Sequence, residues 1–216
     1  MARKSVPAPQ HPSIDYEKQF WQQGFQCTAG LDEAGRGAWA GPVYAAAVIL
    51  PCDERILQLL HGVKDSKKMS AKQRERWQGC IQAASLDWAV GSASSQEIDE
   101  MGIAAATRTA MLRALQQLHY KADSLLIDYF QLKESNLPQM CLPKGDALCL
   151  SIAAASVLAK TARDALMLEL DSKYPPYGFA RHKGYGTAQH RAALESAGLC
   201  EIHRTSFRPM KFMSVK

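Results

Sequence analysis

A chain of 216 residues, 47% apolar and 22% charged, has the composition of a globular protein and the length of one ordinary domain, which excludes a disordered or fibrous chain. Its formal charge of +5 permits an anionic partner without demanding one. The longest uncharged apolar stretch, residues 38–50, is too short to cross a bilayer and contains Gly41-Pro42, so no membrane association is expected.

Residues 1–26 read as a flexible N-terminal extension, with a helical turn around Tyr16 to Trp21. Pro7 and Pro9 stand where a secretory leader needs an apolar run, so a cytoplasmic protein is expected. Cys27 to Glu33 predicts a strand that ends on an acidic pair, and Gly35-Arg36-Gly37 then forces a tight turn. Val43 to Leu50 predicts a second strand, apolar enough to be buried on both faces. Ser70 and Gln73 have capping-box spacing and open a helix to about Ala84. Leu86 to Ala93 predicts a strand and Ile103 to Leu118 a helix with Met111, Leu112 and Leu115 along one side. Ser124 to Ile127 predicts a short strand ending in Asp128, and Ala147 to Leu170 a long helix. Thr187 caps a last helix that Gly198 stops. Strands alternating with helices predict an α/β fold with a mixed sheet.

The six cysteines form no C-x-x-C pair, so they read as buried free thiols in a reducing compartment. From Lys173 onward, eight basic residues face only Glu195 and Glu201. That balance suits a phosphate backbone, and a solvated charged face is the plainer alternative. There is no P-loop and no dinucleotide fingerprint.

Four carboxylates, Asp32, Glu33, Asp128 and Asp146, stand at the ends of elements. Converging carboxylates repel one another unless a cation intervenes, and all-oxygen donors favour Mg²⁺ or Mn²⁺ over zinc. Two such ions serve in-line phosphodiester cleavage. Each acid also has a plainer reading: Asp146 as a helix N-cap, Asp128 as a turn former, Asp32-Glu33 as a strand end. The Gly35-Arg36-Gly37 turn reads either as a turn alone or as backbone that meets a 2′-hydroxyl. Lys67, in the polar segment Lys64-Asp65-Ser66-Lys67-Lys68, is a candidate phosphate contact or part of a solvated loop. Tyr185, between Gly184 and Gly186, either stacks on a base or sugar or packs on its own loop.

Taken together, the strings resemble the ribonuclease HII family. The resemblance rests on residues 30–37 (Gly-Leu-Asp-Glu-Ala-Gly-Arg-Gly), 41–50, 64–70, Lys144-Gly145-Asp146-Ala147, 151–160, Arg163-Asp164, 182–187 and His203-Arg204-Thr205-Ser206-Phe207, in that order. It implies an RNase H-like mixed sheet flanked by helices with a small C-terminal helical extension. The boundaries it implies are a catalytic core over 27–175 and a substrate-binding segment over 176–216. It implies a monomeric Mg²⁺- or Mn²⁺-dependent endoribonuclease acting on RNA–DNA hybrids and ribonucleotide-containing duplex DNA. Single ribonucleotides would be cut on their 5′ side, leaving 3′-OH and 5′-phosphate ends. The catalytic and metal-binding acids it implies are Asp32, Glu33, Asp128 and Asp146, with Gly35, Arg36, Gly37 and Tyr185 as readers of the junction and Lys67 in the substrate-binding set. In two respects the chain departs from the family: an N-terminal extension with no assigned role precedes Cys27, and the third acid is commonly followed by Gly-Asn, whereas here Asp128 precedes Tyr129-Phe130. Asp123 is the alternative, at the wrong end of its strand. The sister type III family usually carries an extra N-terminal domain and lacks the arginine that stands here as Arg36.

Overall fold

The computed structural model describes residues 11–213. A first helix, α1 (Asp15–Trp21), precedes β1 (Thr28–Ala34) and β2 (Val43–Ile49). Two helices follow, α2 (Ile56–Leu59) and α3 (Ala71–Ala84), then β3 (Asp87–Ala93), α4 (Ser95–Met101) and α5 (Ile103–Gln116). The chain continues through β4 (Ser124–Asp128), β5 (Gln139–Leu142), α6 (Gly145–Leu148) and the long α7 (Leu150–Lys173). Two further helices, α8 (Phe179–His182) and α9 (Ala188–Ala197), close it.

The five strands form one sheet in the order β3-β2-β1-β4-β5. β4 runs parallel to both β1 and β5, with Leu31 opposite Ile127 and Asp128 opposite Leu142. The Leu86 N–H donates to the Ile49 carbonyl at 2.9 Å. The end of β2 therefore meets the start of β3, and the sheet is mixed. β1 and β4 are buried along almost their whole length, as strands between two others must be, and each carries an acid near its C-terminal end. The described residues fall into two compact units: residues 11–32, 47–88 and 118–157 in one, and residues 33–46, 89–117 and 158–213 in the other.

In the first unit, Phe20, Leu126, Leu142, Cys149 and Ile152 form an apolar cluster. The segment expected to be a flexible extension is ordered from its eleventh residue onward. Ile14 is fully buried and Phe20 nearly so, because Tyr16 and Phe20 lie one helical turn apart and both pack on that cluster; residues 1–10 lie outside the described part. The long helix begins at Leu150, not Ala147. Cys149 is extended at φ −118° and ψ 127°, and the Leu150 N–H donates to the Ser13 carbonyl at 2.8 Å. The buried Glu17 then accepts the Ser151 N–H at 2.7 Å, so a side chain from another helix does the work of an N-cap. Burial pushes the Glu17 carboxyl up, against the pull of that hydrogen bond. The six cysteines are all free, as expected, but only Cys149 is buried and Cys52 is exposed.

Both helix caps read from the sequence, at Ser70 and Thr187, are present. Ser70 and Gln73 form a complete capping box, and the Thr187 hydroxyl accepts from the His190 N–H. A second capping box, Ser94 with Glu97, starts the unexpected α4. Glu97 also forms a two-pronged ion pair with Arg113, whose hydrogen bonds hold its carboxyl down at about 2.

The second unit is cored by Met167, Tyr177, Phe179, Leu194 and Met210. Through it runs a chain of buried histidines whose hydrogen bonds assign their tautomers. The Cys200 N–H donates to His203 Nδ1 at 2.9 Å, so the His203 proton is on Nε2 and donates to His190 Nε2 at 3.0 Å. His190 then donates from Nδ1 to the Tyr185 carbonyl at 3.1 Å. Burial, with His182 and His203 nearby, pulls the His190 imidazole from its ordinary 6.5 down to about 4. A histidine lowered on folding binds protons first in the unfolded chain. Its penalty is therefore absent above about pH 6.5 and grows as pH falls toward 4, reaching about 3 kcal/mol. Urea unfolding at pH 7 and pH 4.5 should show this loss, and His190→Gln should flatten it. An unchanged pH slope in that variant would contradict the lowering of His190.

Candidate active site

Asp32 lies near the end of β1 and is only 3% exposed. Asp128 is the last residue of β4, and its Oδ1 accepts the Gly145 N–H at 2.7 Å. That bond fixes the start of α6, and Asp146, the next residue, is buried in its first turn. Asp146 is thus not the N-cap of a helix: Lys144 holds that position in a left-handed conformation. The plainer reading of this acid is removed.

Lys67 follows Asp65, whose Oδ1 accepts the Lys67 N–H at 2.9 Å. The Lys67 ammonium stands 3.8 Å from Asp146 Oδ2 although most of its side chain is exposed. Burial opposes its charge, but Asp32, Asp146, Asp65 and Asp128 together outweigh burial and raise it. For two of the acids it is the charged form that is disfavoured. Burial, then the charges of Asp65 and Asp128, push Asp146 from 3.8 up to about 6. Asp128 is raised chiefly by burial, with the Gly145 N–H and Lys67 pulling the other way. Asp32, Asp128 and Asp146 are therefore brought into one electrostatic neighbourhood with Lys67, together with Asp65, which the sequence reading did not single out as an acid. Its only sequence signal is a position before a short polar turn.

Tyr129, directly after Asp128, adopts φ +71°, a left-handed conformation in which glycine is the unstrained residue. Asp123 accepts the Gln26 and Cys27 N–H groups at 2.7 and 2.9 Å, at the opposite end of β4.

These donors fit a hard divalent cation: they are carboxylate oxygens, and burial together with mutual repulsion raises two of them in its absence. Among the described residues, no three His, Cys, Asp or Glu side chains already form a finished coordination group.

The remaining sequence candidates belong to the second compact unit. Glu33 is partly buried in β1 and lies 3.9 Å from Arg36. Gly35 has φ +86°, and a Cβ there would lie 1.9 Å from Arg163 Nε. Gly37 has no atom within 4 Å of where its Cβ would stand. The half-buried Tyr185 ring lies 5.5 Å from the Arg163 guanidinium carbon and 5.6 Å from Lys160 Nζ.

Residues 29–210 match the family described as Ribonuclease HII. The ribonuclease HII of Syntrophotalea carbinolica is 48% identical over 205 residues, covering 95% of this chain and 96% of its own. That of Roseiflexus castenholzii is 50% identical over 202 residues, covering 92% and 89%. Among solved structures, the ribonuclease H2 of Pyrococcus horikoshii superposes with a TM-score of 0.72 at 25% identity, covering 86% of this chain and 95% of its own. The mixed sheet flanked by helices is thus an RNase H-like fold, and no helix among the described residues is long and apolar enough to cross a membrane. The buried acids, the fold and the match over most of the chain agree: this protein belongs to the ribonuclease HII family and is a ribonuclease H hydrolase.

Proposed function

We propose that the chain is a divalent-metal-dependent endonuclease that cleaves the RNA strand of RNA–DNA hybrids and cuts on the 5′ side of single ribonucleotides in duplex DNA. The observation that carries this reading is the group of acids around Lys67, with Asp146 3.8 Å from its ammonium and Asp128 and Asp146 both raised. Asp32, Asp128 and Asp146, with Glu33 next to Asp32 in the chain, are the assigned ligands of Mg²⁺ or Mn²⁺. When bound, two such ions supply charge neutralisation for the attacking and leaving oxygens of an in-line displacement and acidify a water at neutral pH. Lys67 contributes a cation for the phosphate that approaches the acids. Gly35, Arg36 and Gly37 meet the 2′-hydroxyl, and Tyr185 stacks against the sugar at the junction. Residues 27–175 serve as the catalytic core and 176–216 as the substrate-binding segment of a monomeric, cytoplasmic enzyme.

The test is a duplex of DNA with one embedded ribonucleotide, incubated with Mg²⁺, Mn²⁺ or chelator. The expected result is one cut leaving 3′-OH and 5′-phosphate ends, abolished by chelator and absent from an all-deoxy duplex. Cleavage of long RNA tracts with none at the single ribonucleotide would instead favour the type III specificity. Cleavage in chelator would refute the metal assignment.

A further inference from the structure

Two arginines of the second unit, Arg163 and Arg204, are fully buried. Guanidinium groups stay charged at all physiological pH, and a buried charge is costly unless its donors are satisfied. Here the donors go to backbone carbonyls. Arg204 donates from Nη2 to the Gly35 carbonyl at 2.8 Å and from Nη1 to that of Arg36 at 2.9 Å. It also donates to the Gly41 carbonyl from Nε at 3.0 Å and from Nη2 at 2.8 Å. Arg163 donates to Pro42 at 2.9 Å, Ala40 at 3.1 Å and Lys183 at 2.9 Å. Every one of these acceptors lies in the Gly35–Pro42 segment or just before Tyr185.

The two segments are also joined directly. The Trp39 N–H donates to the Gly184 carbonyl at 2.8 Å, and the Arg204 N–H donates to the Trp39 carbonyl at 2.8 Å. Arg163 lies against the Gly35 backbone on one side and the Tyr185 ring on the other. Burial, with the Arg163 charge nearby, draws Arg204 down to about 9, while Tyr185 and Asp99 pull the other way. Apolar side chains would fill such a core at lower cost, but they could not fix six carbonyls at defined positions.

We infer that Arg163 and Arg204 are positioning residues that hold the Gly35-Arg36-Gly37 turn and Tyr185 as one rigid reader of the ribose at the cleavage junction. This rests on the reading of those residues as the sugar-contacting set. Lysine keeps the charge but offers a point of donors in place of a planar fork, so it cannot span the same carbonyls. Sub-ångström freedom at a reader then appears as lost selectivity.

The experiment compares Arg163→Lys and Arg204→Lys with the wild type on duplexes carrying one ribonucleotide or its 2′-fluoro analogue, measuring kcat and KM separately. Met111→Ala, in the core of α5, serves as a control for destabilisation alone. Both lysine variants should lose about tenfold to a hundredfold in kcat/KM on the ribonucleotide, with a smaller ribo-to-fluoro ratio, at temperatures where they are folded. The control should keep the wild-type ratio. Folded lysine variants with wild-type kcat/KM and selectivity would overturn the inference while leaving the proposed function standing. Failure of the wild type to cut the ribonucleotide duplex would instead bring down that function. Should neither variant fold, hydrogen exchange of the wild type decides: residues 35–42 and 183–186 opening together supports a single unit, and independent opening overturns it.

Discussion

Asp146→Asn should reduce cleavage by on the order of a thousandfold or more while leaving the fold intact. The carboxylate is buried, and burial with the charges of Asp65 and Asp128 raises it to about 6. An acid raised on folding is deprotonated more readily in the unfolded chain. Its stability contribution is thus greatest below about pH 4 and falls as pH rises to about 6, a loss of up to about 3 kcal/mol in the metal-free protein. Asparagine keeps the shape and removes the charge, so the variant should unfold at the same or a higher temperature at pH 7.5. Activity and stability then move in opposite directions, the pattern expected of a residue kept for chemistry. Circular dichroism melting alongside the cleavage assay measures both. A folded variant with full activity would remove Asp146 from the site, and an unfolded one would make it a structural residue.

The second large effect is expected at the glycine turn, where Gly35 and Gly37 should behave differently. Gly35→Ala puts a Cβ within 1.9 Å of Arg163 Nε, in a left-handed backbone conformation. Strain and displacement of a buried guanidinium together should destabilise the protein by about 3 kcal/mol. Activity should drop about a hundredfold as the turn moves. Gly37→Ala meets open space and should change stability by less than about 0.5 kcal/mol. Any loss of activity there reports on the substrate's approach, since the fold offers no obstacle. Equal stability losses in the two variants, by urea unfolding, would contradict the packing described for Gly35.

Much of this arrangement was legible in the sequence for identifiable reasons. Strong apolar runs gave β1, β2 and β4, and local hydrogen-bond chemistry gave the starts of α3 and α9. The acids at the ends of β1 and β4 followed from strand direction alone. What was missed depends on contacts distant in sequence. β5 is four residues long and mostly half-buried, with no alternation to announce it. The start of α7 is set by Ser13 and Glu17, more than a hundred residues away, so helix propensity alone placed it three residues early. Asp65 joins the acids only through folding. Nothing in the sequence marks Arg163 and Arg204 as buried, and only the fold shows it. The left-handed conformation of Tyr129 is likewise invisible in the sequence, where nothing marks a tyrosine for a positive φ.

The central claim is that Asp32, Asp128 and Asp146 act as one divalent-metal site, and calorimetric titration of Mn²⁺ near pH 6.5 in two buffers of different ionisation heat tests it most directly. The expected result is saturable binding with a buffer-dependent heat, because a carboxyl raised to about 6 releases protons as the ion enters, and loss of that binding in Asp128→Asn. Absent binding, or binding unchanged by Asp128→Asn, would contradict it.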